Sequence, residues 1–199
     1  ADEDREIARE QAYVDTVYEN LDAASKSAQS LVAEGLAMGH IGHEGGLVER
    51  DAMIYQATRR MSALDAAHDG LVFGRLDLRS GEPRYIGRIG VRTPERDILL
   101  IDWRAPAAEP FYRATANNPM GVVRRRVLRC RDDKVIGIED DLLDDTIETD
   151  LPVIGEGALM AALTRARGHQ MKDIVATIQA EQDEAIRAPS RGVTEITGG

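Results

Sequence analysis

Over residues 5–38, apolar side chains recur three to four apart: Ile7, Val14, Val17, Leu21, Ala24, Ala28, Leu31 and Met38. That period, close to a heptad, predicts one long amphipathic helix, and no proline interrupts it. A turn-rich break follows at Gly39-His40-Ile41-Gly42-His43-Glu44-Gly45-Gly46. The spacing resumes through Leu47, Ile54, Ala57, Met61 and Leu64 to about His68, and Asp69-Gly70 ends it. Two helices joined by a short loop are antiparallel neighbours. At ~1.5 Å per residue they would be about 50 Å and about 35 Å long. Their seam is narrow and rich in alanine, so residues 1–70 are expected to form a projecting helical hairpin, a coiled coil. The alternative lays both helices flat on the rest of the chain.

The period then changes from helical to alternating. Leu71–Leu78, Arg84–Val91 and Asp97–Trp103 read as strands, with turns at Ser80-Gly81-Glu82-Pro83 and Thr93-Pro94-Glu95-Arg96. Phe111–Ala116 fits a fourth strand or a short helix. Val122–Cys130 and Lys134–Ile138 form a further hairpin around Asp132-Asp133. Such short spacing indicates an antiparallel meander, and residues 71–140 are expected to build a small, mostly antiparallel sheet or open barrel. Residues 141–156 read as an acidic linker. Residues 157–199 read as two amphipathic helices and a first strand near 193–196, opening an incomplete ATPase domain of the RecA type. The fold class expected is α+β, with C-terminal helices.

Charge narrows the function. The net charge is −10, unevenly spread. Residues 1–70 hold 14 acidic and 6 basic side chains, residues 71–130 hold 6 and 12, and residues 131–156 hold 10 and 2. Duplex affinity comes largely from neutralised phosphates, so an acidic chain is a poor general DNA binder. The acidic ends suit a basic protein surface. The single cysteine, Cys130, excludes an internal disulfide framework and fits a reducing cytosol. The charged N-terminus is unlike a signal peptide, and no stretch approaches the roughly 20 apolar residues of a membrane helix. A cytoplasmic monomer without membrane contact is expected.

Few residue clusters could carry chemistry. His40 and His43, beside Glu44, lack a third fixed ligand, so no metal site is expected. The acidic run from Glu139 to Asp150 lacks the glycine and terminal glutamate of a calcium loop and reads as a solvated linker. Arg124-Arg125-Arg126 lies in a strand, which puts Arg125 on one face and its neighbours on the other. With Arg104, these arginines are candidates for phosphate, or else partners for the acidic stretch that follows. Trp103, Phe111 and Tyr112 could stack bases but are read as core. No nucleophile–base pair or carboxylate pair is present, so no catalytic residue is assigned.

Seven segments in order resemble the HelD family of UvrD/Rep-like, superfamily 1 NTPases. They are Phe73–Asp77, Tyr85–Gly90, Ile101–Pro106, Phe111–Thr115, Arg124–Arg126 with Gly137–Asp140, and the run Asp173–Pro189. The resemblance implies that the last run is a Q-motif, with Gln182 reading the adenine edge and Gln179 the second choice. An amide can donate to and accept from adenine at once. It further implies that Gly198 and Gly199 begin a phosphate-binding loop whose lysine and Mg2+-binding hydroxyl lie beyond the chain. ATP and Mg2+ would then be ligands of the longer protein, and this chain alone would not hydrolyse ATP. The partner implied is core RNA polymerase, its secondary channel entered by the hairpin through His40, Ile41, His43, Glu44 and Glu49. Such a motor releases and recycles stalled polymerase. The alternative is a nucleic-acid-binding N-terminal region of a UvrD/Rep-like DNA repair helicase.

Overall fold

A computed structural model describes residues 2–37, 44–144 and 149–155. Helix α1 spans Asp2–Ala37 and α2 spans Glu44–Ala67. Acidic Asp2, Glu3 and Asp4 fill the first turn of α1, where the helix dipole favours negative charge. The strands are β1 (Val72–Leu78), β2 (Pro83–Gly87), β3 (Val91–Arg92), β4 (Ile98–Asp102), β5 (Val122–Arg131) and β6 (Lys134–Leu142). A 3-10 turn at Pro106–Ala108 runs into the short helix α3 (Glu109–Arg113). The architecture is α+β: a helical pair, then one open six-stranded sheet in the order β3-β4-β2-β1-β5-β6.

Side-chain alternation gives the sheet two covered faces. Phe73, Leu76, Val122 and Val127 pack with Phe111, Tyr112 and Ala108 on the α3 side. Gly74 belongs to that side: a Cβ there would lie 2.5 Å from the Phe111 ring. On the opposite face, Val14, Val17, Tyr18 and Leu21 of α1 pack with Leu71, Val72, Leu100, Leu128 and Cys130. The root of the hairpin is thus part of the core, and α1 projects along only part of its length. Farther out, the packing is between the helices themselves, as where Gly35 meets Ile54. Tyr18 pins the junction. Its hydroxyl accepts from the Leu71 N–H at 3.2 Å and reaches the carbonyl oxygens of His68 and Asp132.

Three expectations need correction. The strand expected at 84–91 is two strands, because the chain bends at Arg88–Gly90. The sheet is not a simple meander, since β4 returns beside β2 in parallel, pairing Ile86 with Ile101 and Gly87 with Asp102. The acidic stretch is not all linker, because β6 runs on to Leu142. Its carboxylates lie in register with arginines, Asp140 opposite Arg126 and Asp141 opposite Arg125. Opposite charges directly across a ladder favour pairing. The segment at 111–116 proves helical at its start, as α3. The helices and strand expected within 157–199 lie outside the described residues.

Candidate functional site

Two glutamates begin the apolar stripe of α1. Glu6 and Glu10, one turn apart, face the sheet with Val14, Val17 and Leu21. Both are buried, and beneath them stands a cross-strand pair of like charges, Arg75 opposite Arg126. Like charges in that position repel. Glu10 resolves the conflict, because its Oε1 accepts from both Arg75 Nη1 and Arg126 Nη1 at 2.8 Å. Tyr85 donates its hydroxyl to Glu10 Oε2 at 2.7 Å, and its ring stacks on Tyr13 at 3.7 Å. Arg126 Nη1 also donates to Glu6 Oε2 at 2.8 Å, while its Nε and Nη2 grip Asp140 at 2.8 and 2.9 Å. Arg124 donates to Asp77 Oδ2 and to the Pro152 carbonyl.

This cluster is an ionic seat for the helix root. Burial penalises the charged Glu6, but the hydrogen bond and charge of Arg126 outweigh it and hold its carboxyl below the usual range. Burial likewise works against the charged Arg126, yet Asp140, Glu6 and Glu10 raise its pKa, so it stays a cation. A buried charge set of this kind is sound only when every member is satisfied.

The candidate residues named above fall in different places. Arg124 and Arg126 lie inside the seat on the α1 face. Arg125, on the other face, donates to the Phe111 and Ala114 carbonyls and to Asp141. Desolvation lowers its pKa. All three are buried, so none offers phosphate an open surface. Arg104 is exposed, but Asp102 holds it through two bonds of 2.9 and 2.7 Å, and it lies over the Trp103 ring. Phe111 and Tyr112 are core, and Trp103 packs against them. Cys130 is buried against the Val72 carbonyl, and burial pushes its thiol up to about 12, which removes it as a nucleophile. Glu44 opens α2, and Glu49 is exposed one turn on. His40, Ile41, His43, Gln179, Gln182, Gly198 and Gly199 lie outside the described residues.

Glu6 and Glu10 escaped the reading of the sequence. Their signal was present: carboxylates at positions 6 and 10 continue the 14, 17, 21 stripe. Acid at a core position demands a buried cation.

Farther along the hairpin the surface changes. Residues 22–60 carry five acidic and four basic side chains, so the acidity of the first 70 residues is concentrated near the root. Leu31, Leu36, Val48 and Tyr55 are exposed there. Leu31 also lines an apolar groove of about 570 Å³, formed with Ala23, Ala24, Ala28, Met53 and Ala57 and with Pro94 of the β3–β4 turn. Arg60 and Arg92 are its charged walls. No described helix is long and apolar enough to cross a membrane.

The profile of the family described as DNA helicase IV HelD, N-terminal domain, matches residues 7–151. No curated protein matches the chain. The match takes in the sheet, nearly all of the helical pair and the ionic seat except Glu6, and the chain belongs to the family of HelD N-terminal domains.

Proposed function

We propose that this chain is the RNA polymerase-binding region of an ATP-dependent, helicase-like motor that releases and recycles stalled polymerase. The helical pair is the docking prong, and the polymerase secondary channel is its destination. The observation that carries this reading is the contrast along α1: its root is locked into the sheet, whereas the outer hairpin exposes Leu31, Leu36, Val48 and Tyr55. Solvated apolar side chains on a firmly mounted projection suit a protein surface better than a phosphate backbone. The near-neutral charge of residues 22–60 points to docking led by apolar contact, with electrostatics secondary. ATP and Mg2+ enter this reading as ligands of the longer protein, through Gln182 and Gln179 for adenine and Gly198–Gly199 for phosphate.

Capture of purified core RNA polymerase by the immobilised chain tests the proposal. The wild-type chain is expected to retain polymerase at moderate salt. Leu36→Glu with Val48→Glu, both at exposed positions, is expected to lose at least tenfold in affinity while keeping its helix content. Absence of capture by the folded wild-type chain contradicts the reading, and tight, salt-sensitive capture of single-stranded DNA instead would favour the repair-helicase alternative.

A further inference from the structure

The ionic seat contains more acid than base. Its buried carboxylates are Glu6, Glu10, Asp77 and Asp140, set against the guanidinium groups of Arg75, Arg124 and Arg126. Arg9 approaches Glu6 at 3.5 Å, but from the solvent side. The surplus negative charge therefore leans on neutral donors. One is the Tyr85 hydroxyl on Glu10. The other is the backbone N–H of Ile154, which donates to Asp140 Oδ2 at 2.9 Å.

Ile154 belongs to a segment outside both the hairpin and the sheet. Residues 151–154 run beside β6 and are tied to the sheet twice more, once to β6 and once to β5. The Asp140 N–H donates to the Ile154 carbonyl at 2.8 Å, and Arg124 Nη1 donates to the Pro152 carbonyl at 2.7 Å. The segment leads directly into residues 156–199. Its three bonds end on Asp140 and Arg124. From Asp140 one further side chain, Arg126, reaches Glu6 and Glu10 on α1.

We propose that residues 151–154 are a strap that controls how firmly the root of α1 is seated, with Asp140 and Arg126 as the positioning residues that transmit its state. Lifting the strap takes a donor from Asp140 and an acceptor from Arg124. The carboxylates of Asp140, Glu6 and Glu10 then draw on Arg126 with less help, Glu10 alone keeping Arg75 and Tyr85 as well, and their repulsion loosens the helix that carries two of them. Low dielectric makes such a loss costly. Because α1 is about 54 Å long at ~1.5 Å per residue, a tilt of about 5° at its root moves its far end by about 5 Å. A load arriving along the chain from residue 156 onward would thus reach the prong through two buried side chains.

Ile154→Pro deletes the donor, because proline has no N–H. Hydrogen–deuterium exchange on the 199-residue chain is the readout. The expected result is at least tenfold faster exchange at residues 7–14 of α1, with β1 residues 73–76 unchanged. Faster exchange confined to residues 150–155 overturns the proposal. Should the proline variant lose its helical circular dichroism, Ile154→Gly decides instead. It keeps the N–H but slackens the strap, and a two- to threefold rise at residues 7–14 is expected. No change there, with faster exchange at 150–155, would again overturn the coupling. Neither outcome depends on whether polymerase binds.

Discussion

At the scale of single residues, Arg126 is the side chain on which most depends. It is fully buried and satisfies three carboxylates from two separate elements. Arg126→Leu would leave Glu6, Glu10 and Asp140 facing one another without their shared cation. Removing one partner of a buried ionic set costs about 3–5 kcal/mol, so the urea midpoint of this variant should fall by the corresponding amount. Glu6 adds a dependence on pH. Its pKa in the folded chain lies below the ordinary 4.5, so its stabilisation is present above about that pH and lost as pH falls through the folded value. Acid unfolding should therefore begin to bite below about pH 4.5. Glu6→Gln should be less stable at neutral pH and show a flatter acid limb in a series of thermal melts. These residues were poorly legible in advance for a physical reason. A glutamate on a helix looks solvated until its partner is known, and Arg126 lies 116 residues from Glu10 in the chain.

Among the elements, the helices were the easiest to foresee, because a 3.6-residue apolar period is a local property of α1 and α2. The β5–β6 hairpin was half legible. Its turn at Asp132 has φ of +53°, which aspartate tolerates, and the sequence pointed to it. The reach of β6 into the acidic run did not show, because Glu139, Asp140 and Asp141 oppose a strand only until Val127, Arg126 and Arg125 are placed across from them. The parallel return of β4 beside β2 is a non-local pairing that no alternation pattern encodes. Where α1, α2 and the β5–β6 turn meet, Tyr18 serves all three. Tyr18→Phe would strip a partner from the Leu71 N–H and from two carbonyl groups. Leaving the buried Leu71 N–H unsatisfied costs about 1–3 kcal/mol, and the loss should appear as a lower thermal midpoint with the native circular dichroism spectrum retained.

For the whole molecule, the seat, the core beneath α1 and the outer hairpin describe one object: a β platform with a helical prong whose mounting is both apolar and ionic and whose outer half exposes apolar side chains. The acidity of the first 70 residues had suggested electrostatic docking. The structure places Glu6 and Glu10 in internal pairs, and residues 22–60 are nearly neutral in net charge, so the proposed docking rests on the apolar side chains exposed there. The most direct test puts a photo-crosslinking amino acid at Val48, which is 71% exposed on the outer hairpin, and irradiates the chain with core RNA polymerase. The account predicts a covalent adduct to a polymerase subunit at the entrance or wall of the secondary channel, lost when unlabelled wild-type chain competes. Crosslinks that map elsewhere on polymerase, or form only to nucleic acid, would contradict it.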